Sequence, residues 1–232
     1  LHFVTNEDAA RRVRQLGENP AHIFNVGSPG LDNIARLQLL GRDELEQALD
    51  FRLRKHNLLV TFHTVTLENH SAETQFSELL AALDRLGDDF GIVFTKPNAD
   101  TDGRVIIRQI DEFVATRPNC RAYISLGQLR YLSLMAQVEA VVGNSSSGLY
   151  EAPSFHIPTV NIGDRQKGRL QADSVINCVP LADAIETGVR TALSRDCSAT
   201  INPYGDGQSS ARIKNVLKQI ATPAALLKKH FF

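Results

Sequence analysis

The feature that most constrains the fold of this chain is its alternation of short, β-branched apolar runs with longer amphipathic stretches. In the stretches that begin near Ser71 and Asp102, apolar residues recur at a spacing typical of a helix with one buried face. Strands that alternate with such helices form a mainly parallel sheet with helices on both faces. Six strand-like runs follow residue 55, which is enough for one complete domain. The sequence therefore predicts an α/β fold with a Rossmann-like, doubly wound parallel sheet.

The pattern also gives approximate bounds for the elements. The apolar runs predict strands at residues 1–4, 21–26, 58–63, 91–95, 120–124, 140–143, 159–161 and 175–178. Capping residues and apolar spacing predict helices near residues 7–16, 71–86, 102–113, 129–137, 181–193, 209–220 and 223–229. Ser28-Pro29-Gly30 is typical of a turn and marks a candidate boundary after residue 26. The chain opens on a strand-like run without an initiator Met, which we interpret as a fragment entered within a fold.

Composition argues against several classes of function. The formal net charge is −1, so the chain lacks the basic excess of proteins that bind nucleic acid or an anionic membrane. Its longest apolar runs are far shorter than the roughly 20 residues that cross a bilayer. The three cysteines are isolated from one another, so neither a zinc site nor a disulfide framework is indicated. We predict no metal, no cofactor, and a cytoplasmic protein with reduced thiols.

A turn rich in glycine and serine is the strongest candidate for ligand binding. The segment Gly143-Asn144-Ser145-Ser146-Ser147-Gly148 follows a buried-looking strand and precedes a predicted helix. Backbone N–H groups and serine hydroxyls can bind an anion there, and Glu151 could accept hydrogen bonds from a ribose diol. The turn is not a Walker A loop, because Leu149-Tyr150 stands where Lys and Ser or Thr are required. A capped helix without a ligand is the alternative interpretation.

Three further strand ends carry polar side chains. Arg165 lies in a loop with two other cations and two glycines, a composition that suits a phosphate group. His63 ends an apolar strand, and Asn98 lies in a Pro-Asn-Ala-Asp turn whose side chains can contact sugar hydroxyls. Ligands of open parallel sheets bind beyond the carboxyl ends of the strands, which favours a shared site. The alternatives are a solvated basic loop, a structural histidine and an ordinary turn.

Taken in order, these segments resemble the C-terminal domain of the hydrolysing UDP-N-acetylglucosamine 2-epimerases, the enzymes that open sialic acid synthesis. The resemblance covers nearly the whole chain. Its strongest motifs are Gly-Asn-Ser-Ser-Ser-Gly-x-x-Glu-Ala at residues 143–152 and Gly-Asp-Arg-Gln-x-Gly-Arg at residues 163–169. Further matches lie at residues 27–32, 62–68, 97–100, 204–207 and 228–232.

The resemblance implies a glycosyltransferase-B-like fold, in which a UDP-sugar binds in the cleft between two Rossmann-like domains. Residues 1–26 then correspond to the last strand–helix–strand of an N-terminal domain, and residues 27–232 to the C-terminal UDP-binding domain with its terminal helices. The implied site residues fall into three groups: Ser145, Ser146, Arg165 and His63 at the diphosphate, Glu151 at the ribose, and Asn98 and the backbone around Leu126 at the nucleotide and its uracil.

The reaction that the resemblance implies is anti elimination of UDP across C1–C2 of the sugar, followed by addition of water to give N-acetylmannosamine. His63 is the catalytic candidate in this chain, because an imidazole can protonate the leaving oxygen or pair with it as imidazolium. Thr64 stands where the family often has proline, so we expect a shifted turn with a retained role. The family's carboxylates that take the C2 proton lie in its N-terminal domain. We therefore predict that this chain alone is inactive.

Several alternatives stay open at this point. Residues 63–66 lack the arginines that follow the strand-end histidine in non-hydrolysing bacterial epimerases, which favours the hydrolysing branch. A glycosyltransferase of the same architecture or a non-catalytic UDP-binding module would also use such a domain. The sugar is either N-acetylglucosamine or a 2,4-diacetamido relative. The predicted partners are the UDP-sugar and the N-terminal domain of the same protein, and a homo-oligomer is allowed.

Overall fold

A computed structural model describes residues 1–64, 71–97 and 101–227. The strands are β1 His2–Val4, β2 Ile23–Asn25, β3 His56–Thr61, β4 Phe90–Thr95, β5 Cys120–Tyr123, β6 Ala140–Gly143, β7 Thr159–Ile162 and β8 Val175–Cys178. The helices are α1 Glu7–Gln15, α2 Asp32–Arg36, α3 Arg42–Leu49, α4 Ser71–Asp84, α5 Thr101–Ala115, α6 Gly127–Met135, α7 Ser147–Tyr150, α8 Ala182–Leu193 and α9 Ser209–Lys218. Within this part of the chain, no helix is both long enough and apolar enough to cross a membrane.

The chain forms two compact units. The larger unit spans Gln38–Ile201, and the smaller combines Leu1–Leu37 with the chain from residue 202 onwards. The larger unit holds a six-stranded sheet, and the smaller holds a two-stranded parallel sheet of β1 and β2.

The sheet of the larger unit is wholly parallel, in the order β5-β4-β3-β6-β7-β8. The chain enters at β3 in the middle, moves outward to β5, returns to β6 beside β3, and moves outward again to β8. The order therefore reverses between β3 and β6, which is the switch point where doubly wound sheets bind ligands. This confirms the predicted fold class.

Both faces of the sheet are buried, which explains why its strands are continuous apolar runs. Leu58 and Val60 of β3 pack in one core cluster with residues of α4, α5 and α8. Leu59, between them in the strand, packs in a second cluster with residues of α3 and α6. The core thus fixes the carboxyl end of β3 from both sides.

A glycine makes the switch point possible. Gly143, the last residue of β6, has φ +129°, a conformation that side-chain-bearing residues rarely adopt. A Cβ atom there would lie 2.0 Å from the Thr61 carbonyl oxygen. Only glycine lets β6 end this close to β3 and turn into the serine-rich segment.

The smaller unit begins with a strand and a helix close to the predicted bounds. The side chain of Asn6 accepts a hydrogen bond from the Ala9 N–H at 2.9 Å and caps α1. Farther along, the Asp32 carboxylate accepts hydrogen bonds from the Ser209 and Ser210 N–H groups at 2.9 and 2.6 Å. Because α9 begins at Ser209, Asp32 caps that helix from a distant part of the sequence. We call this arrangement the Asp32 cap.

The strand predictions hold to within two residues at each end, and several helix predictions need correction. No helix was predicted between residues 31 and 55, where α2 and α3 lie. Both are short, so few residues carry their periodicity. Asp102, near which a helix was predicted to begin, lies inside α5, and residues 223–226 form a 3₁₀ turn where a helix was expected.

Candidate functional site

Three strand-end segments form the candidate site. The first is the segment after β3 that contains His63, the second is the turn Asn144–Ser147 after β6, and the third is the loop of residues 163–169 after β7. We call the second segment the serine turn. Since β3, β6 and β7 are consecutive in the sheet, their carboxyl ends lie side by side at the switch point.

Asn144 connects all three segments. Its side-chain oxygen accepts a hydrogen bond from the His63 N–H at 2.7 Å, and its side-chain nitrogen donates to the His63 carbonyl at 2.8 Å. Its backbone N–H donates to the Thr61 carbonyl at 3.1 Å. Its own carbonyl accepts from Arg165 Nη1 at 3.0 Å and from Gln166 Nε2 at 2.7 Å. Asn144 is only 1% exposed, so these bonds are shielded from water.

The serine turn presents polar groups without a long helix behind them. The Ser145 hydroxyl accepts a hydrogen bond from the Ser147 N–H at 3.3 Å, and the Ser146 carbonyl accepts from the Leu149 and Tyr150 N–H groups at 2.9 Å. The side chains of Ser145 and Ser146 are partly exposed. Since α7 has four residues, its dipole is weak. An anion bound here would therefore be held by N–H groups, hydroxyls and a nearby cation.

Arg165 is the cation nearest the serine turn in this hydrogen-bond network. Arg165 is exposed, but partial burial of its guanidinium and, to a smaller extent, the charge of Arg169 lower the pKa of that group. Lys167 in the same loop pairs with Asp164 at 3.1 Å. Gln166 is buried, and its side-chain oxygen has no hydrogen-bond partner.

Glu151 lies at the end of α7 beside two hydroxyl groups. Burial raises the pKa of the Glu151 carboxyl, and the Ser147 hydroxyl opposes that shift. Burial also raises the pKa of Tyr131 on α6, against the effects of Ser147 and Thr61. The Ser147 hydroxyl is buried and makes no hydrogen bond of good geometry, although it lies close enough to affect both pKa values. Glu151, Tyr131 and Ser147 thus form a small polar cluster.

Leu126 and Asn98 stand apart from the Asn144 network. Leu126 is buried at the start of α6, and its carbonyl accepts a hydrogen bond from Arg130 Nε at 2.9 Å. It shares an apolar cluster with Ala152, the residue after Glu151. Asn98 lies outside the described residues. The structure therefore joins His63, the serine turn and Arg165 directly, and reaches Leu126 only through apolar packing.

Sequence reasoning missed three residues of this region. Asn144 and Gln166 lie inside the two strongest motifs, but their neighbours Ser145 and Arg165 drew the functional interpretation. Their buried positions follow from close approach of β3, β6 and β7, which a single sequence does not show. Tyr131 is one apolar position among several on α6, and nothing in the spacing separates it from the core.

Comparison with known proteins decides the family. The family model described as UDP-N-acetylglucosamine 2-epimerase matches residues 1–218. The chain belongs to this family. The resemblance inferred from the motifs, including its hydrolysing branch, is confirmed.

Two curated relatives and one solved structure illustrate the match. The UDP-N,N'-diacetylbacillosamine 2-epimerase (hydrolyzing) of Legionella pneumophila is 36% identical over 228 residues, covering 98% of this chain and 60% of the relative. The GDP/UDP-N,N'-diacetylbacillosamine 2-epimerase (hydrolyzing) of Campylobacter jejuni is 39% identical over 178 residues, covering 76% and 46%. The UDP-GlcNAc 2-epimerase of Methanocaldococcus jannaschii, solved with UDP-GlcNAc and UDP, has a TM-score of 0.73 at 18% identity, covering 93% and 60%.

These coverages bear on how much of the family's fold this chain contains. The chain spans about 60% or less of the length of these relatives. At 18% identity, the structural match establishes the fold alone: a Rossmann-like domain of the glycosyltransferase-B type found in these epimerases.

Proposed function

We propose that this chain is the UDP-binding part of a hydrolysing UDP-N-acetylglucosamine 2-epimerase that produces N-acetylmannosamine for sialic acid synthesis. The observation that carries the proposal is the hydrogen-bonded junction of His63, the serine turn and Arg165 at the switch point. It brings an imidazole-bearing segment, hydroxyl groups and a guanidinium together at the edge where such sheets bind nucleotides. Family membership gives this arrangement its substrate class.

The proposed roles follow from the chemistry of each group. Ser145, Ser146 and Arg165 bind the diphosphate, because hydroxyls and a guanidinium match its oxygens. Glu151 accepts hydrogen bonds from the ribose hydroxyls, and its position at the end of α7 supports this role. Asn98 contacts the nucleotide, and the backbone around Leu126 contacts the uracil. Because the Leu126 carbonyl already accepts a hydrogen bond from Arg130, the uracil would be contacted by neighbouring backbone groups.

The proposed reaction breaks two bonds and then restores the sugar. A base outside this chain removes the C2 proton, the C2–H electrons form the C1=C2 double bond, and the C1–O bond breaks to release UDP. Negative charge then develops on the diphosphate, where Arg165 and the serine turn stabilise it. His63 protonates the leaving oxygen or pairs with it as imidazolium. Water adds OH to C1 and a proton to C2 from the opposite face, which gives the C2-inverted free sugar.

We also propose that residues 1–26 belong to an N-terminal domain and residues 27–232 to the UDP-binding domain. The support is the two-stranded parallel sheet of β1 and β2, since so small a parallel sheet is marginal without further strands. The base and the remaining sugar contacts would then lie in that N-terminal domain. The chain of 232 residues should bind UDP weakly and turn nothing over.

The decisive experiment follows the C2 proton. The full-length protein incubated with UDP-N-acetylglucosamine in D₂O should release UDP and N-acetylmannosamine that carries deuterium at C2, measured by NMR and mass spectrometry. Product that keeps its original C2 proton would exclude the elimination route. Turnover by residues 1–232 alone would contradict our placement of the base outside this chain.

A second substrate is favoured by the relatives. One, 36% identical, is named as an epimerase of UDP-N,N'-diacetylbacillosamine and another, 39% identical, as an epimerase of GDP/UDP-N,N'-diacetylbacillosamine, a 2,4-diacetamido sugar. The two substrates share UDP and the C2 acetamido group and differ at C4 and C6, which the residues assigned above do not contact. Comparing kcat/KM for both sugar nucleotides with the full-length protein distinguishes them. A preference of tenfold or more, about 1.4 kcal/mol, would assign the sugar.

The cysteines support our proposal of a cytoplasmic location. Cys120 and Cys178 lie on β5 and β8, the opposite edge strands of the six-stranded sheet. Strands spaced about 4.8 Å apart place them too far from each other for a disulfide. An oxidising compartment would offer this pair no stabilising bond.

A further inference from the structure

We propose that Asn144 is a positioning residue that sets the location of the His63 imidazole relative to the diphosphate site. The inference deepens the proposed function and rests on it. Asn144 bonds to both backbone groups of His63 through one side chain, so it fixes the position and the rotation of that peptide segment. A single hydrogen bond would leave the segment free to rotate about that bond.

The two halves of Asn144 serve different loops. Its side chain holds His63, whereas its backbone carbonyl holds Arg165 and Gln166. Changing the side chain should therefore disturb the imidazole and leave the carbonyl that anchors the arginine loop in place. The expected signature is a loss of turnover much larger than the loss of UDP affinity.

An asparagine is suited to this role because its amide carries one acceptor and one donor side by side. A protonated carboxyl group offers the same pair, while a carboxylate offers only acceptors. Asn144→Asp should therefore work at low pH and fail as pH rises, because the ionised form cannot donate to the His63 carbonyl. Burial raises the pKa of the introduced carboxyl, and the Arg165 guanidinium, which donates to the carbonyl of the same residue, lowers it, so a transition between pH 5 and 8 requires that burial prevail.

The chain contains a matched control at the other end of β3. Asn57 is 0% exposed, and its side chain accepts from the Arg54 N–H at 2.8 Å and donates to the Arg54 carbonyl at 3.1 Å. It thus bonds to one backbone residue in the same two-way manner as Asn144. Because Asn57 lies near the amino end of the strand, the corresponding variants test general loss of a buried amide.

The experiment compares Asn144→Asp, Asn144→Ser and the same changes at Asn57 in the full-length protein. UDP release from UDP-N-acetylglucosamine, or from its 2,4-diacetamido counterpart if that is the substrate, is measured between pH 5 and 9. UDP affinity is measured by calorimetry, and thermal melting shows which variants are folded at each pH.

For Asn144→Ser we expect kcat to fall at least about tenfold at every pH, with the dissociation constant for UDP changed less than about threefold. For Asn144→Asp we expect kcat relative to wild type to be near one at pH 5 and to fall about tenfold or more by pH 8. The Asn57 variants should lower the melting temperature without changing the pH profile of kcat.

Three outcomes would overturn the inference. If the ratio of kcat for Asn144→Asp to kcat for wild type does not change with pH, the hydrogen bond donated to the His63 carbonyl has no role in turnover. Equal losses of kcat and UDP affinity in Asn144→Ser, or the same kinetic change at Asn57, would reduce Asn144 to general support of the fold. If Asn144→Asp does not fold, the Asn144→Ser kinetics decide. Failure of the wild-type protein to bind UDP would instead overturn the proposed function and this inference together.

Discussion

Two carboxylates in this chain, Asp32 and Glu151, come from motifs of the same family resemblance and have opposite electrostatics. Burial raises the pKa of Asp32, but the hydrogen bonds from Ser210 and Ser209 outweigh it and leave the pKa below its ordinary value. At Glu151, burial prevails over the Ser147 hydroxyl and the pKa is raised. The Asp32 carboxylate oxygens already accept hydrogen bonds at the start of α9. The unfavourable burial of the Glu151 carboxylate is not fully offset by hydrogen bonds.

The difference teaches how to separate structural motif residues from binding residues. A carboxylate already satisfied by backbone N–H groups gains little from a ligand. One that carries an uncompensated cost of burial gains when hydroxyl groups arrive, which is why perturbed pKa values concentrate at functional sites. On this ground the Asp32 cap is structural, and the Glu151 cluster is the one that we propose as part of the UDP site.

The largest effect should come from removing the cap. Asp32→Ala leaves two N–H groups at the start of α9 without their acceptor and should lower the free energy of unfolding by about 2–4 kcal/mol in denaturant titrations. Because the folded pKa of Asp32 is lowered, the stability it contributes is present above its unfolded pKa and lost as pH falls through the folded value.

Ser210→Ala separates two parts of the cap, because it removes the hydroxyl that helps to lower the pKa of Asp32 and keeps both backbone N–H groups that bond to the carboxylate. It should cost much less than Asp32→Ala. UDP affinity should stay within about twofold in both variants at temperatures where they are folded. A tenfold loss of affinity in folded Asp32→Ala would break the comparison and place Asp32 in a binding site.

The next effect tests the phosphate site. Arg165→Ala should weaken UDP binding by about 1.5–3 kcal/mol in calorimetry, the range for a hydrogen bond to a charged group. Its melting temperature should change little, since the side chain is largely exposed. Lys167→Ala in the same loop is the control and should have the smaller effect, because Lys167 is paired with Asp164. If Arg165→Ala and wild type bind UDP with equal affinity, the phosphate site does not include this loop.

Much of this arrangement could be predicted from sequence. Apolar periodicity predicted the six-stranded sheet. The motifs placed His63, Ser145 and Arg165 after strands of that sheet, which predicted a shared site. What was missed depends on contacts between segments far apart in the chain. Asn144 bonds to His63 across 81 positions, and Asp32 bonds to Ser209 across 177. No local pattern encodes such pairings, because they arise only when the sheet has brought the strand ends together.

A smaller effect concerns Glu151 itself. Glu151→Gln replaces a charged hydrogen-bond acceptor for the ribose hydroxyls by a neutral amide. It should weaken UDP binding by about 1 kcal/mol near neutral pH. Without ligand, the same substitution should stabilise the folded protein. A carboxyl whose folded pKa is raised favours folding in its protonated form, so its contribution is present at low pH and is lost as pH rises through the folded pKa.

The variant should therefore melt at a higher temperature than wild type at pH 8, and the gain should shrink as pH falls below the folded pKa and vanish below the unfolded pKa. Scanning calorimetry across pH checks this. Glu186→Gln, at a partly exposed position of α8 where Glu186 pairs with Arg190, is the control and should show no such gain. A lower melting temperature for Glu151→Gln at pH 8 would mean that Glu151, like Asp32, is a satisfied structural carboxylate.

The smallest effect should come from Tyr131, which lies beside Ser147 in the Glu151 cluster. Removing its hydroxyl in Tyr131→Phe should loosen the groups around Glu151 and weaken UDP binding by about 0.5–1 kcal/mol. If this loss of affinity acts through the ribose, it should be smaller for 2',3'-dideoxy-UDP, because that sugar has no 2' and 3' hydroxyls to donate to Glu151. Tyr123→Phe is the control, because the Tyr123 hydroxyl bonds to the Leu49 carbonyl. An equal loss for both nucleotides would assign Tyr131 to packing of α6, since only a ribose contact distinguishes the two ligands.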